Sequence, residues 1–156
     1  MERQVVWELV PALQSIWFVP HVLSYMISYA LSAVAFILAI ASAAKFKGSK
    51  ANSKEEFSNA IYHILRLGFP FMTIGIFLGA IWAEEAWGVY WSWDTKETWS
   101  LITWSLYLIY FHSRRTKEFK KWANTFQVLA FTALLVTFLM VNLLPQLGSL
   151  LHGYAK

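Results

Sequence analysis

The chain has 156 residues, 58% of them hydrophobic and only 14% charged, where an ordinary soluble domain is roughly 25% charged. With a mean hydropathy of +0.46 it reads as an integral membrane protein of a single domain, residues 1–156. The net charge of +4 sits in two short basic clusters between apolar runs, which excludes the basic, aromatic-studded surface of a nucleic-acid binder. The absence of cysteine excludes disulfides, zinc–thiolate sites and redox pairs, so thiol chemistry here needs a partner's thiols.

Residues 1–20 hold three charges and no long apolar core, and so do not read as a signal peptide. The first apolar segment covers residues 22–44, with Pro20 placed to open its helix. A polar turn follows, containing Lys45, Lys47, Lys50, Asn52-Ser53 and Lys54. The second segment covers residues 60–82; Gly68 and Pro70 predict a bend, and the GxxxG spacing of Gly75 and Gly79 predicts a close helix contact. The third, residues 95–112, opens on Asp94-Thr95-Lys96-Glu97, which has capping-box spacing. The fourth covers residues 122–144.

Each segment approaches the roughly 20 residues that cross a bilayer core. The expected fold is all-α: a polytopic membrane protein of about four transmembrane helices with an outward Trp-rich loop. The second basic cluster, Arg114, Arg115, Lys117, Lys120 and Lys121, falls between the third and fourth segments. The positive-inside rule puts both clusters on the cytoplasmic side, and residues 1–21, 83–94 and 145–156 outside.

The stretch Trp82 to Trp104 holds six of the nine tryptophans in 23 residues. An aromatic belt at headgroup level accounts for Trp82, Trp99, Trp104 and Trp122. It accounts poorly for Trp87, Tyr90, Trp91 and Trp93, which crowd one outward connection and suit a platform for a large, flat, apolar ligand. Heme is the first candidate, because His21 and His152 flank the same outer face and a neutral imidazole is a good axial ligand for its iron. The alternative is a pair of interfacial histidines bonded to water or backbone. Asp94 is read as an N-cap that also orients the ligand loop. Lys96 either meets an acidic group of the ligand or offsets its acidic neighbours. The adjacent Glu84 and Glu85 are weak evidence for acid–base catalysis. His112 and His63 lie near the inner ends of the third and second segments, where an ionisable residue is a candidate for function.

Trp87-Gly88-Val89-Tyr90-Trp91-Ser92-Trp93-Asp94 matches WGxxWxWD and resembles the "WWD" motif of the heme-handling cytochrome c assembly family. The continuation Lys96-Glu97-Thr98-Trp99, with Leu101-Ile102-Thr103-Trp104, is similar to the CcsA (ResC) branch more than to CcmC. Further matches are Leu13-Gln14-Ser15, His21-Val22, Tyr110-Phe111-His112 and Leu151-His152-Gly153-Tyr154, so the resemblance spans nearly the whole chain. It implies heme b as the bound substrate, His21 and His152 as its external axial ligands, and Trp87, Gly88, Trp91, Trp93 and Asp94 as its platform. It also implies that His112 matches an intramembrane histidine. The implied partners are a CcsB (ResB)-like membrane protein and an apocytochrome c whose CxxCH cysteines take the heme vinyl groups as thioethers. The implied location is a bacterial inner membrane, with a plastid thylakoid as alternative. A CcmC-like module that delivers heme without synthase activity is the alternative function. Proteins of the CcsA branch usually carry further helices before the first external histidine, so the chain is expected to lack N-terminal helices.

Overall fold

The computed structural model describes residues 11–45 and 51–143, and within them it contains helices and no strand. α1 spans Phe18–Lys45, α2 Ala51–Trp87, α3 Thr95–Arg115 and α4 Ala123–Leu143, with single 3-10 turns at Pro11–Leu13 and Lys120–Trp122. Pro20 stands in the first turn of α1, where its missing N–H interrupts no helical bond. Asn52 and Ser53, expected in a turn, instead belong to the first turn of α2. α2 also continues through Pro70 as one helix, with the Thr73 hydroxyl bonded to the Phe69 carbonyl at 3.0 Å. Its 37 residues extend about 55 Å, well beyond a bilayer core.

α1 and α2 pack along their length as one antiparallel pair and α3 and α4 as another; α1 also touches α4, and α2 touches α3. The core between them is built from Leu65, Met72, Tyr107, Tyr110, Phe131 and Leu134, with Ala35 and Ala130 letting backbones approach. Phe36 of α1 stacks on Phe131 of α4 at 4.2 Å. Leu23, Ile27, Ile37, Leu67, Ile74 and Phe77 point outward, the arrangement a lipid-facing surface requires.

Three of the described helices are long and apolar enough to cross a membrane: Phe18–Ala44, Lys54–Trp87 and Lys120–Leu139. α3 falls short on hydropathy because it carries more polar residues, several of them buried among its neighbours. Trp104 Nε1 donates to Thr73 Oγ1 at 3.0 Å, the Thr103 hydroxyl donates to the Trp99 carbonyl at 2.8 Å, and Tyr107 and Tyr110 are buried. α3 nevertheless runs at the depth of α2. Trp104 stacks on Phe69 at 5.5 Å, Phe111 meets Tyr62 at 5.8 Å, and Arg114 bonds to Ser58 and Asn59. The molecule is a multi-pass membrane protein in which α3 completes a four-helix bundle.

Among the described residues, the basic side chains of the two clusters fall at one end of the bundle. Arg114 stands over the Tyr62 ring at 5.5 Å, and Lys120 pairs with Glu55 at 3.3 Å, joining the α3–α4 junction to the start of α2. The Trp-rich connection lies at the opposite end.

Candidate functional site

The connection from α2 to α3 is seven residues, Gly88 to Asp94, held rigid from both sides. Gly88 takes φ +76, a conformation a side chain disfavours. A Cβ there would meet no protein atom within 4 Å, so among the described residues it is the turn's positive φ that calls for glycine. Trp93 also lies in the left-handed region, at φ 58, a strain of about 1–3 kcal/mol for a bulky residue. The cap of α3 holds that strain. The Asp94 side chain accepts from Glu97 N at 2.8 Å, and Glu97 Oε2 accepts from Ser92 N at 2.8 Å, Ser92 Oγ at 3.1 Å and Asp94 N at 3.3 Å. The capping box read from the sequence is therefore present in full, and its buried glutamate also ties down the loop.

His21 sits one turn into α1, in a seat made by α2. Its Nδ1 lies 2.9 Å from the Gly75 carbonyl. A carbonyl only accepts, so Nδ1 carries the proton and the neutral ring has its lone pair on Nε2, the nitrogen a metal would take. A backbone bond that fixes tautomer and ring plane is the usual support of a metal-binding histidine. Gly79 makes room for the ring: a Cβ there would lie 2.6 Å from His21 Cε1 and 2.7 Å from Nδ1. At Gly75 a Cβ would meet the Tyr25 ring at 2.8 Å. The GxxxG pair thus does bring helices together, and what it admits is the His21–Tyr25 face of α1.

Trp82 closes the seat. Its ring stacks on His21 at 5.6 Å, Trp87 meets it edge-on at 4.8 Å, and Phe18 lies at 5.4 Å. The Trp82 indole N–H donates to the Ala12 carbonyl at 2.7 Å, and Ser15 Oγ donates to Glu85 at 2.7 Å, so the segment before α1 is bound to the C-terminal end of α2. Trp82 is only 1% exposed, which overturns its reading as an interfacial anchor: it is a buried support that links the Trp-rich loop to the histidine.

Beside this seat, among the described residues, is a cavity of about 210 Å³, whose walls include His21, Tyr25, Tyr29, Tyr90, Trp91 and Lys96. Sites that enclose a drug-sized ligand measure roughly 300–1,000 Å³. The cavity among the described walls is smaller than that. Trp91 meets Trp93 edge-on at 5.8 Å.

The structure brings His21 and Trp91 to one cavity and places Trp87 behind it. Gly88, Trp93 and Asp94 shape the loop without lining the cavity. His112 is at the other end of the bundle. From Lys96 it is 16 residues along α3, about 24 Å, and its Nδ1 bonds to the Leu108 carbonyl at 2.8 Å on an exposed face. His63 is exposed near the same end. His152 lies outside the described residues. Tyr25, Tyr29, Trp82 and Glu97 are site residues that sequence reading did not assign. Tyr25 and Tyr29 follow His21 at i+4 and i+8, and that helical spacing was the available signal.

The pattern of the family described as "Cytochrome C assembly protein" matches residues 3–148. The chain belongs to the cytochrome c assembly protein family. Within it, the chain is similar to the "Cytochrome c biogenesis protein CcsA" of Chlamydomonas reinhardtii, 45% identical over 160 residues that cover 98% of this chain and 44% of the relative. A relative with the same description in Pyropia yezoensis is 35% identical over 200 residues, covering 99% of this chain and 62% of the relative. One in Gloeobacter violaceus is 46% identical over 106 residues, covering 67% of this chain and 30% of the relative. The chain thus spans less than two thirds of the length of these CcsA relatives.

Proposed function

We propose that this member of the cytochrome c assembly family binds heme b as a substrate at its outer face and helps attach it to apocytochrome c. The observation that carries the proposal is the seat of His21: a tautomer set by the Gly75 carbonyl, a gap left at Gly79, and the Trp-rich loop alongside. His21 supplies Nε2 to the iron, and His152 supplies the opposing imidazole. Trp91 gives the porphyrin an apolar wall, Trp87 backs it through Trp82, and Gly88, Trp93 and Asp94 hold the loop in shape. His112 serves a separate heme contact at the inner end.

Attachment adds a thiol S–H across a vinyl C=C: sulfur bonds one carbon, the hydrogen goes to the other, and no electrons are lost or gained. A chain without cysteine leaves both thiols to the CxxCH motif of the apocytochrome. The protein's part is then to hold the vinyl groups beside the incoming thiols, a positioning role. Its partner is a CcsB (ResB)-like membrane protein, and its location a bacterial inner membrane with the site facing out; a thylakoid is the alternative. Coexpression with that partner and an apocytochrome tests the reading. Heme that stays on the cytochrome through denaturing electrophoresis supports synthesis, and heme delivered but never covalently held supports a CcmC-like role instead.

A further inference from the structure

Two donors at the cavity have no acceptor among the described residues. Trp91 Nε1–H is buried and makes no hydrogen bond. Lys96 is the one cation among the described lining residues, and no described carboxylate lies within ion-pair distance of it. Of the two acids next to it in sequence, Asp94 caps Glu97 through Oδ1, and Glu97, which also lines the cavity, accepts from Ser92 and Asp94 through Oε2. The remaining walls are mostly aromatic and aliphatic, contributed by Tyr25, Met26, Tyr29 and Tyr90. A buried donor without an acceptor, beside a lysine in apolar surroundings, is a costly pairing that an anionic acceptor would relieve. A carboxylate has the lone pairs to serve both donors at once.

We propose that Lys96 and the Trp91 indole N–H together receive a carboxylate of the flat ligand, so that the site selects an acid-bearing tetrapyrrole over its uncharged ester. This rests on the heme reading and adds to it the group that sets the ligand's orientation. His21 fixes the centre of the ring, and one carboxylate at Lys96 fixes its rotation. That rotation decides which edge, and so which vinyl groups, face outward.

The test is an absorbance titration of the detergent-purified chain with heme b and with heme dimethyl ester, which keeps the iron and ring but removes both charges. Wild type is expected to prefer heme b by about tenfold, a modest value for a partly exposed charge. Lys96→Met is expected to weaken heme b to the level of the ester and leave ester binding unchanged. Lys96→Arg is expected to keep most of the preference, and Trp91→Phe to lose part of it while retaining the aromatic wall. Equal wild-type affinity for the two ligands overturns the proposal and leaves the heme reading standing. An equal loss of both ligands in Lys96→Met overturns it too, by assigning Lys96 to packing. Failure of wild type to bind either ligand removes the heme reading and this proposal with it.

Discussion

At the residue scale, the decisive contact is between His21 and the two glycines of α2. His21 is legible in the sequence as a candidate ligand, because it stands beside a proline at the start of an apolar run. Its seat is not legible, because Gly75 and Gly79 lie more than 50 residues away and a GxxxG pair says only that something packs closely. Here that something is an imidazole. Gly79→Ala would put a Cβ 2.6 Å from Cε1, so the ring must leave its place or the helices must part. We expect a destabilisation of about 1–3 kcal/mol, typical of overpacking, measured by thermal denaturation in detergent. Heme affinity is expected to fall roughly 10–100-fold, as when the support of a metal-binding histidine is lost. A variant that melts earlier yet keeps its heme affinity would show that Gly79 serves helix packing alone.

At the element scale, the loop depends on the first turn of α3. Asp94 and Glu97 satisfy backbone donors reciprocally, and Glu97 also holds Ser92, so the cap and the platform are one unit. Asp94→Ala is expected to cost about 1 kcal/mol, and Asp94→Asn much less, because asparagine caps as well as aspartate. Equilibrium unfolding of the two variants checks this ordering, and equal losses would point to the charge of Asp94 in place of its capping bond. The capping box was readable from spacing alone. The left-handed turn at Trp93 was not, since nothing local demands a positive φ from tryptophan; the hydrogen bonds around it do. The helix ends were harder to read. Hydropathy stops the second segment at residue 60, yet α2 begins at Ala51. The extra turns are polar and owe their support to tertiary contacts, through Glu55 with Lys120 and through Ser58 and Asn59 with Arg114.

At the scale of the whole molecule, the bundle separates two ends of different character. Among the described residues, one carries the basic side chains of both clusters and His112, the other the Trp-rich loop and His21. The three strongly apolar spans and this polarity follow from composition and charge. α3 follows less directly, because a helix that buries its polar groups against neighbours does not look like a lipid-facing one. The natural absence of cysteine makes the orientation testable. In intact cells, Val89→Cys should react with a membrane-impermeant maleimide, and Lys117→Cys only after permeabilisation; the reverse pattern would invert the topology. The most direct test of the account as a whole is the absorption spectrum of the purified, heme-loaded chain, oxidised and reduced, beside that of His21→Ala. The account predicts a six-coordinate bis-histidine spectrum in wild type, lost or converted to a weakly held form in His21→Ala. An unchanged spectrum at unchanged heme occupancy in His21→Ala would contradict it.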